Sequence, residues 1–378
     1  MFSKTLFISC LVLFISSCAS KKISVPASLS PDPPVVKNVI LLIGDGMGLT
    51  QLSAGTYAFA NTSHFERCKH IGLHKPYAYD ALITDSAAGA TAFACGEKTY
   101  NGAIAVNSDT IPIKTILEEA EERGLSSGLI ATSSITHATP ASFIAHNRYR
   151  KNMEEIAEDF LDTEIDLFIG GGRKHFDSRT KDDRDLLSEL RKKDYVISSY
   201  FEQELGELDI DPSKNFGYLT SSEEPLRRSE GRDYLPLATD IALNHLSKHG
   251  NKGFFLMIEG SQIDWGGHAN DLDWVLSEWE EFNDVVGRVL DWAEADGETL
   301  VVVTADHETG GLAIQPDSEF GKISAEFTSN YHTGTLIPVY AFGPKAESFG
   351  GIYENTAIYN KMKEAFGWAT SYATPRRL

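Results

Sequence analysis

The chain is poor in cysteine and in basic residues, and it lacks the usual nucleotide-binding signatures; each shortage removes a class of protein. Four cysteines in 378 residues are too few for a disulfide-built scaffold. Without a C-x-x-C pair or a histidine at zinc-finger spacing they make no thiolate metal site either. Lysine and arginine number 34 against 54 acidic residues, a net charge of −20. The short basic clusters, Lys181 to Lys193 and Arg376 to Arg377, are interleaved with acids or terminal. That speaks against nucleic acid as a specific partner, which needs a basic face. There is no Walker A sequence, and the glycines of Gly44-Asp45-Gly46-Met47-Gly48 run G-x-G-x-G rather than G-x-G-x-x-G, with an acid that would repel a pyrophosphate.

What is present begins with an export signature. Met1 to Lys4 give a positive start and Thr5 to Ile15 an apolar stretch, well short of the ~20 residues that span a membrane. Residues 1–17 therefore read as a signal peptide. Ile15-Ser16-Ser17-Cys18 resembles a bacterial lipobox, which implies an exported lipoprotein, periplasmic or outer-membrane-associated, held to the membrane by a lipid on Cys18. Residues 18–34, with Pro26, Pro31, Pro33 and Pro34 among serines, read as an extended tether. Only Cys68 and Cys95 then remain in the body, as a disulfide or as two buried thiols.

Residues 35–378 read as a single catalytic domain. Continuous apolar runs at Val35 to Ile43, Leu125 to Ala131, Ile165 to Ile169, Gly253 to Ile258, Thr299 to Thr304 and Thr335 to Phe342 suit strands buried on both faces. Helical patterns lie between several of them, at Ile111 to Arg123, Leu235 to Lys248 and Leu272 to Ala295. Strands alternating with helices predict an α/β fold, a mostly parallel central sheet sandwiched by helices. The polar, charge-dense stretch 177–231 reads as a peripheral insertion.

In such sheets chemistry sits beyond the carboxyl ends of the strands, and the apolar runs are punctuated accordingly. Asp45 comes after the first strand, Glu259 and Asp264 after the fourth, Asp306-His307 after the fifth, and His332 precedes the last. Asp264 and His268 stand four residues apart, able to converge on one ion. Carboxylate with imidazole and no thiolate favours zinc, with magnesium at an all-oxygen position. Two such sites close together form a clamp for in-line phosphoryl displacement. In Thr84-Asp85-Ser86-Ala87-Ala88-Gly89 a serine opens a run of small residues at a helix start, where the dipole favours an alkoxide or a bound anion.

These segments resemble the alkaline phosphatase family, from Val36 to about Pro344, in motifs Asn38 to Thr50, Thr84 to Gly96, His137 to Arg150, Phe255 to His268, Val302 to Gly311 and His332 to Gly343. The resemblance implies a phosphomonoesterase with two zinc ions and one magnesium ion. It makes Asp264, His268 and His332 ligands of a first zinc, and Asp45, Asp306, His307 and Ser86 Oγ those of a second. Glu259, Thr139 and Asp45 would form a third, magnesium-type site. It makes Ser86 the nucleophile that becomes phosphoserine, and Arg150 the guanidinium that grips the phosphate with Asp85 orienting it; Arg148 is the rival arginine. Two departures touch the metal surroundings: His137 stands where some bacterial relatives carry Asp, and Trp265 where they carry Lys. The first leaves the third-site metal open between magnesium, zinc and cobalt. Only 24 residues separate His307 from His332, a short insertion that leaves monomer and homodimer open. A phosphodiesterase or sulfatase on the same scaffold is the alternative enzyme, and a non-catalytic metal-binding lipoprotein the alternative of another class.

Overall fold

The continuous apolar runs form the inner strands of a ten-stranded sheet. In chain order the strands are β1 (Asn38–Gly44), β2 (His70–Lys75), β3 (Ser126–Ser134), β4 (Leu167–Gly171), β5 (Val196–Ser199), β6 (Phe216–Leu219), β7 (Phe254–Gly260) and β8 (Thr299–Thr304). Next come the short β9 (Glu308–Thr309), β10 (Leu312–Ile314), β11 (Ala325–Phe327) and β12 (His332–Thr333), then β13 (Ile337–Phe342) and β14 (Gly351–Glu354). The sheet runs β14-β2-β13-β8-β1-β7-β3-β4-β6-β5, while β9 to β12 pair in two small ladders outside it. The computed structural model describes residues 36–59 and 63–370 besides Met1. The predicted signal segment after Met1, Cys18 and the tether lie outside the described residues.

Burial on both faces explains why the inner strands are apolar throughout. Val39, Leu41 and Ile43 of β1 join one core with helices Ser86–Cys95, Ile116–Glu122 and Ala138–Ile144. Ile40 and Leu42 join the opposite core with helices Tyr234–His249 and Leu272–Asp296. Alternate side chains of one strand thus feed two layers of helix. The two body cysteines fall on opposite sides of this division, Cys95 in the first core and Cys68 in the second, and both are free buried thiols. The disulfide left open by the sequence does not form.

Every neighbouring pair is parallel except those of β13, which runs antiparallel to both β8 and β2. Its direction has a simple cause: only short strands lie between β8 and β13, and without a crossover helix the chain returns antiparallel. The start of β13 therefore lies at the edge where the parallel strands end. The charge-dense stretch 177–231 supplies β5 and β6, which extend the sheet beyond β4 in parallel. The helix predicted from Ile111 begins at Ile116, because Pro112 disfavours helix at the residue before it and Thr115 with Glu118 forms a capping box.

The loop before helix Tyr234–His249 is fastened to both helices that flank the site edge. Gln262 Nε2 donates to the carbonyls of Pro225 and Leu226 at 3.1 and 3.2 Å. Arg232 pairs with Glu278 and Glu281 on helix Leu272–Asp296, all three side chains being 2% exposed. Removing the guanidinium strands two buried carboxylates. Arg232→Ala is expected to lower unfolding free energy by about 3–5 kcal/mol, measured by urea denaturation, while apolar replacement of all three partners restores most of it.

Candidate active site

Four adjacent strands, β8, β1, β7 and β3, end side by side, so that Ile43 lies opposite both Thr304 and Glu259, and Ala131 opposite Glu259. The residues just beyond them meet at one edge. Asp45, Glu259 and Asp306 are fully buried and Asp264 nearly so. Gly46 makes the first turn possible: its φ is +73°, and a Cβ there would stand 2.7 Å from Asp264 Cα and 2.8 Å from Thr309 Oγ1. On the other side, a Cβ on Gly89 would stand 3.0 Å from Asp306 Cβ. The small residues of helix Ser86–Cys95 thus let it lie directly on the β8 turn.

That contact carries Ser86 to the centre. Asp85 caps the helix, Oδ1 accepting from Ala88 N at 3.0 Å, while its Oδ2 accepts from Arg150 Nη1 at 2.9 Å. One carboxylate therefore sets both the helix start and the guanidinium. Ser86 Oγ lies 3.4 Å from His307 Nε2. Arg150 Nη2 lies 3.4 Å from His137 Nε2, and the His137 ring meets Trp265 edge-on with centroids 5.9 Å apart. Arg148 is exposed.

Two donor clusters flank the serine. Asp264, His268 and His332 each bring one ligand atom within 4.8 Å of the others, and so do Asp45, Asp264 and His307. Asp264 belongs to both groups. Asp306 reaches the second through Oδ2, 3.2 Å from His307 Nε2. His268 Nδ1 donates to the carbonyl of Asn330 at 2.8 Å and His332 Nδ1 to that of Thr84 at 2.7 Å. Their protons are thereby assigned to Nδ1, and the two Nε2 atoms face each other at 3.1 Å with lone pairs that repel unless a cation lies between. His307 obeys the same logic. Its Nδ1 lies 3.2 Å from Thr309 Oγ1, which itself donates to Asp264 Oδ1, so Nε2 is left as a bare lone pair toward Asp45, Asp306 and Ser86.

The remaining oxygens point the same way. Both oxygens of Asp45, Asp306 Oδ2, Glu259 Oε1 and Thr139 Oγ1 are buried without a hydrogen-bond partner among the described residues. Glu259 Oε2 accepts from Ser261 Oγ at 2.6 Å and Ser133 Oγ at 3.3 Å. Burial pushes Glu259 up to about 8, and burial with the Asp264 charge pushes Asp306 up to about 7. Asp45 is driven well above the carboxylate range by burial and then by Asp306 and Asp264. Burial lowers His307 far below its ordinary value, and burial with the nearby Arg150 charge takes His137 down to about 3. Orphaned oxygens and neutral imidazoles at this spacing fit divalent cations, whose charge would reverse the acid shifts.

Beyond the residues singled out in the sequence, a supporting layer emerges. Thr309 bridges the two clusters; Gln51 Nε2 donates to Glu308 Oε1 at 2.5 Å and to the Thr309 carbonyl at 2.7 Å. The β9–β12 ladder pairs Thr309 with His332. Tyr331 stacks on His332 at 4.5 Å, and His332 on His307 at 3.5 Å. Glu308 and Thr309 belong to the same turn motif as Asp306-His307, and Ser261 to the segment Phe255 to His268, which was the signal available for them; Ser133 and Gln51 offered none. Asp85, Ser86, Arg150, Lys151, Trp265 and Tyr331 are among the residues lining an open pocket of ≈ 500 Å³ over the site.

Comparison with known proteins agrees with this geometry. The family profile "Alkaline phosphatase" matches residues 36–328. Alkaline phosphatase 3 of Bacillus subtilis is 35% identical, over 87% of this chain and 89% of its own. The solved alkaline phosphatase of the Antarctic bacterium TAB5 is 43% identical with a TM-score of 0.85, covering 89% of this chain and 100% of that one. A variant of it with a histidine changed to Glu, 42% identical with a TM-score of 0.84 and the same coverage, has magnesium bound in its M3 site. A profile match across most of the body, with relatives of this identity over nearly their whole length, means that the chain belongs to the alkaline phosphatase family.

Proposed function

We propose that the chain hydrolyses phosphate monoesters through a phosphoserine on Ser86, in a site that takes two zinc ions and one magnesium ion. The observation that carries this reading is the position of Ser86 Oγ, 3.4 Å from the bare His307 Nε2, at a helix start and beside buried carboxylate oxygens to which none of the described residues donates. Asp264, His268 and His332 would hold the first zinc. Asp45, Asp306 and His307, with Ser86 Oγ, would hold the second, and Glu259, Thr139 and Asp45 the magnesium. When bound, such ions supply Lewis acidity, lowering the pKa of a coordinated hydroxyl or water and offsetting charge on phosphate oxygens.

The chain's own groups do the rest. Arg150, one donor tied to Asp85, turns its planar fork toward two phosphate oxygens. Ser86 Oγ attacks phosphorus in line; the Oγ–P bond forms as the ester P–O bond breaks, and the alcohol leaves with the bonding pair. Water then splits the phosphoserine, returning Ser86 and releasing inorganic phosphate. His307, neutral at working pH, serves as ligand rather than base. With neutral His137 in place of an acid, the third position carries less negative charge, so zinc or cobalt competes with magnesium there. The Antarctic variant in which Glu replaces a histidine, with magnesium in its M3 site, supports that view. Residues 1–17 are read as an export signal and Cys18 as the lipid anchor; no helix among the described residues is long and apolar enough to cross a membrane.

Three substitutions test the assignment. Ser86→Ala keeps fold and metals, at a cost of about 1 kcal/mol if the hydroxyl also steadies the helix start, and abolishes labelling by phosphate trapped at acidic pH; undiminished labelling identifies another nucleophile. His332→Ala releases about one metal ion per chain by elemental analysis and severely depresses turnover, whereas unchanged stoichiometry overturns the first ligand set. Arg150→Ser cuts kcat/KM for p-nitrophenyl phosphate by about 2–3 kcal/mol, roughly 30- to 150-fold. The loss on the bis ester, which has fewer free oxygens to grip, is much smaller. Equal losses on the two substrates point to the wrong substrate class or to Arg148.

A further inference from the structure

We infer that His74 is a positioning residue for the second set of metal donors, holding the turn that carries Asp306 and His307 in place against the helix of Ser86. The inference rests on the ligand assignment proposed above. It goes beyond that assignment by naming a residue that lies outside every motif of the site.

The main-chain ladder between β13 and β8 last pairs Tyr340 with Val303. Continued by two residues, that register sets Pro338 against Ala305, and a proline has no N–H to offer. Side chains take over at this point. Thr304 Oγ1 donates to the Pro338 carbonyl at 2.9 Å, and His74 Nε2 donates to the Ala305 carbonyl at 2.8 Å. His74 belongs to β2, on the far side of β13, where it pairs with Ile337. Its ring therefore reaches past one whole strand to the residue directly before Asp306-His307. His74 is fully buried, and a buried imidazole is a costly way to fill space. Its bond to this carbonyl is what an apolar side chain could not make. Burial takes the ring down to about 4, so it is neutral at working pH, with its proton on Nε2.

The same ring touches the helix of the nucleophile. His74 meets Phe93 edge-on, with centroids 5.3 Å apart and planes at 79°. Ser86, Gly89 and Phe93 stand at i, i+3 and i+7 of helix Ser86–Cys95 and so share one face. Along that face Ser86 Oγ approaches His307 Nε2 at 3.4 Å. Gly89 lets Asp306 come close, a Cβ there standing 3.0 Å from Asp306 Cβ. Phe93 rests on His74, which passes the contact to the main chain of the turn through its hydrogen bond. Three successive contacts thus set how far the serine stands from the second donor set.

Two substitutions separate the bond from the packing. His74→Phe keeps a ring against Phe93 and removes the donor, whereas His74→Gln removes the ring and returns an amide N–H near the place of Nε2. Zinc affinity is measured by competition with a chromogenic chelator, and melting temperature is recorded with and without zinc. In His74→Phe one of the two zinc ions is expected to bind about 10–100-fold more weakly, the range for losing a group that supports a ligand. The other ion is held as in the wild type, and His74→Gln recovers most of the loss. The metal-free melting temperature of His74→Phe hardly moves while the zinc-loaded one falls, because binding energy lost from the folded state is stability lost with it. Unchanged zinc affinities in His74→Phe overturn the proposal. So does a loss that His74→Gln fails to recover, or one matched by an equal fall in the metal-free melting temperature, which marks His74 as packing alone. Failure of the hydrolase reading looks different: the wild type then holds no zinc, or Ser86→Ala releases phosphate from p-nitrophenyl phosphate undiminished.

Discussion

Four carboxylates, Asp45, Glu259, Asp264 and Asp306, share one buried volume, and most of the architecture exists to hold them against their mutual repulsion. Left to itself such a cluster takes up protons, which is why burial and neighbouring charge raise Asp45, Glu259 and Asp306. The polypeptide resists the alternative, moving apart, by putting Asp45, Glu259 and Asp306 on or just beyond three central strands locked between two helix-backed cores. Gly46 and Gly89 remove the side chains that would keep the turns separate. Rigidity here is a precondition of chemistry, because donors aimed before the reaction need no reorganisation during it.

Much of this was legible in the sequence. The inner strands were, since a strand covered on both faces has no polar face to blur it. The strand-end residues were as well, since a carboxylate directly after an apolar run is hard to place anywhere but at the sheet edge. The shorter outer strands were not: β2 and β14 expose much of their length, and β5 and β6 sit in a stretch whose charge density hid them. Direction was invisible for β13, because parallel and antiparallel strands share the same side-chain alternation. Within the site, the clustered carboxylates and imidazoles could be found by residue type, while Ser133, Ser261 and Gln51 could not: a hydroxyl or amide that steadies a carboxylate is identified only by where the fold puts it. Thr309 lay inside a quoted motif, yet its bridging role between Asp264 and His307 depends on the turn geometry.

The two body cysteines show how topology overrules composition. Exported proteins permit a disulfide, but a sheet stands between Cys68 and Cys95, and no adjustment of side chains crosses it. Stability in this chain therefore rests on its two cores, on buried ion groups such as Arg232 with Glu278 and Glu281, and on whatever cations the carboxylate cluster retains.

The reversal of β13 has a consequence for the order in which the molecule is made. Because that strand runs against its neighbours, His332 is delivered to the site edge by the last third of the chain, whereas Asp45 comes from the first strand. A growing polypeptide halted between residues 308 and 331 possesses the serine and the acids but lacks the imidazole that joins His268. The first donor set comes into being only near the end of synthesis.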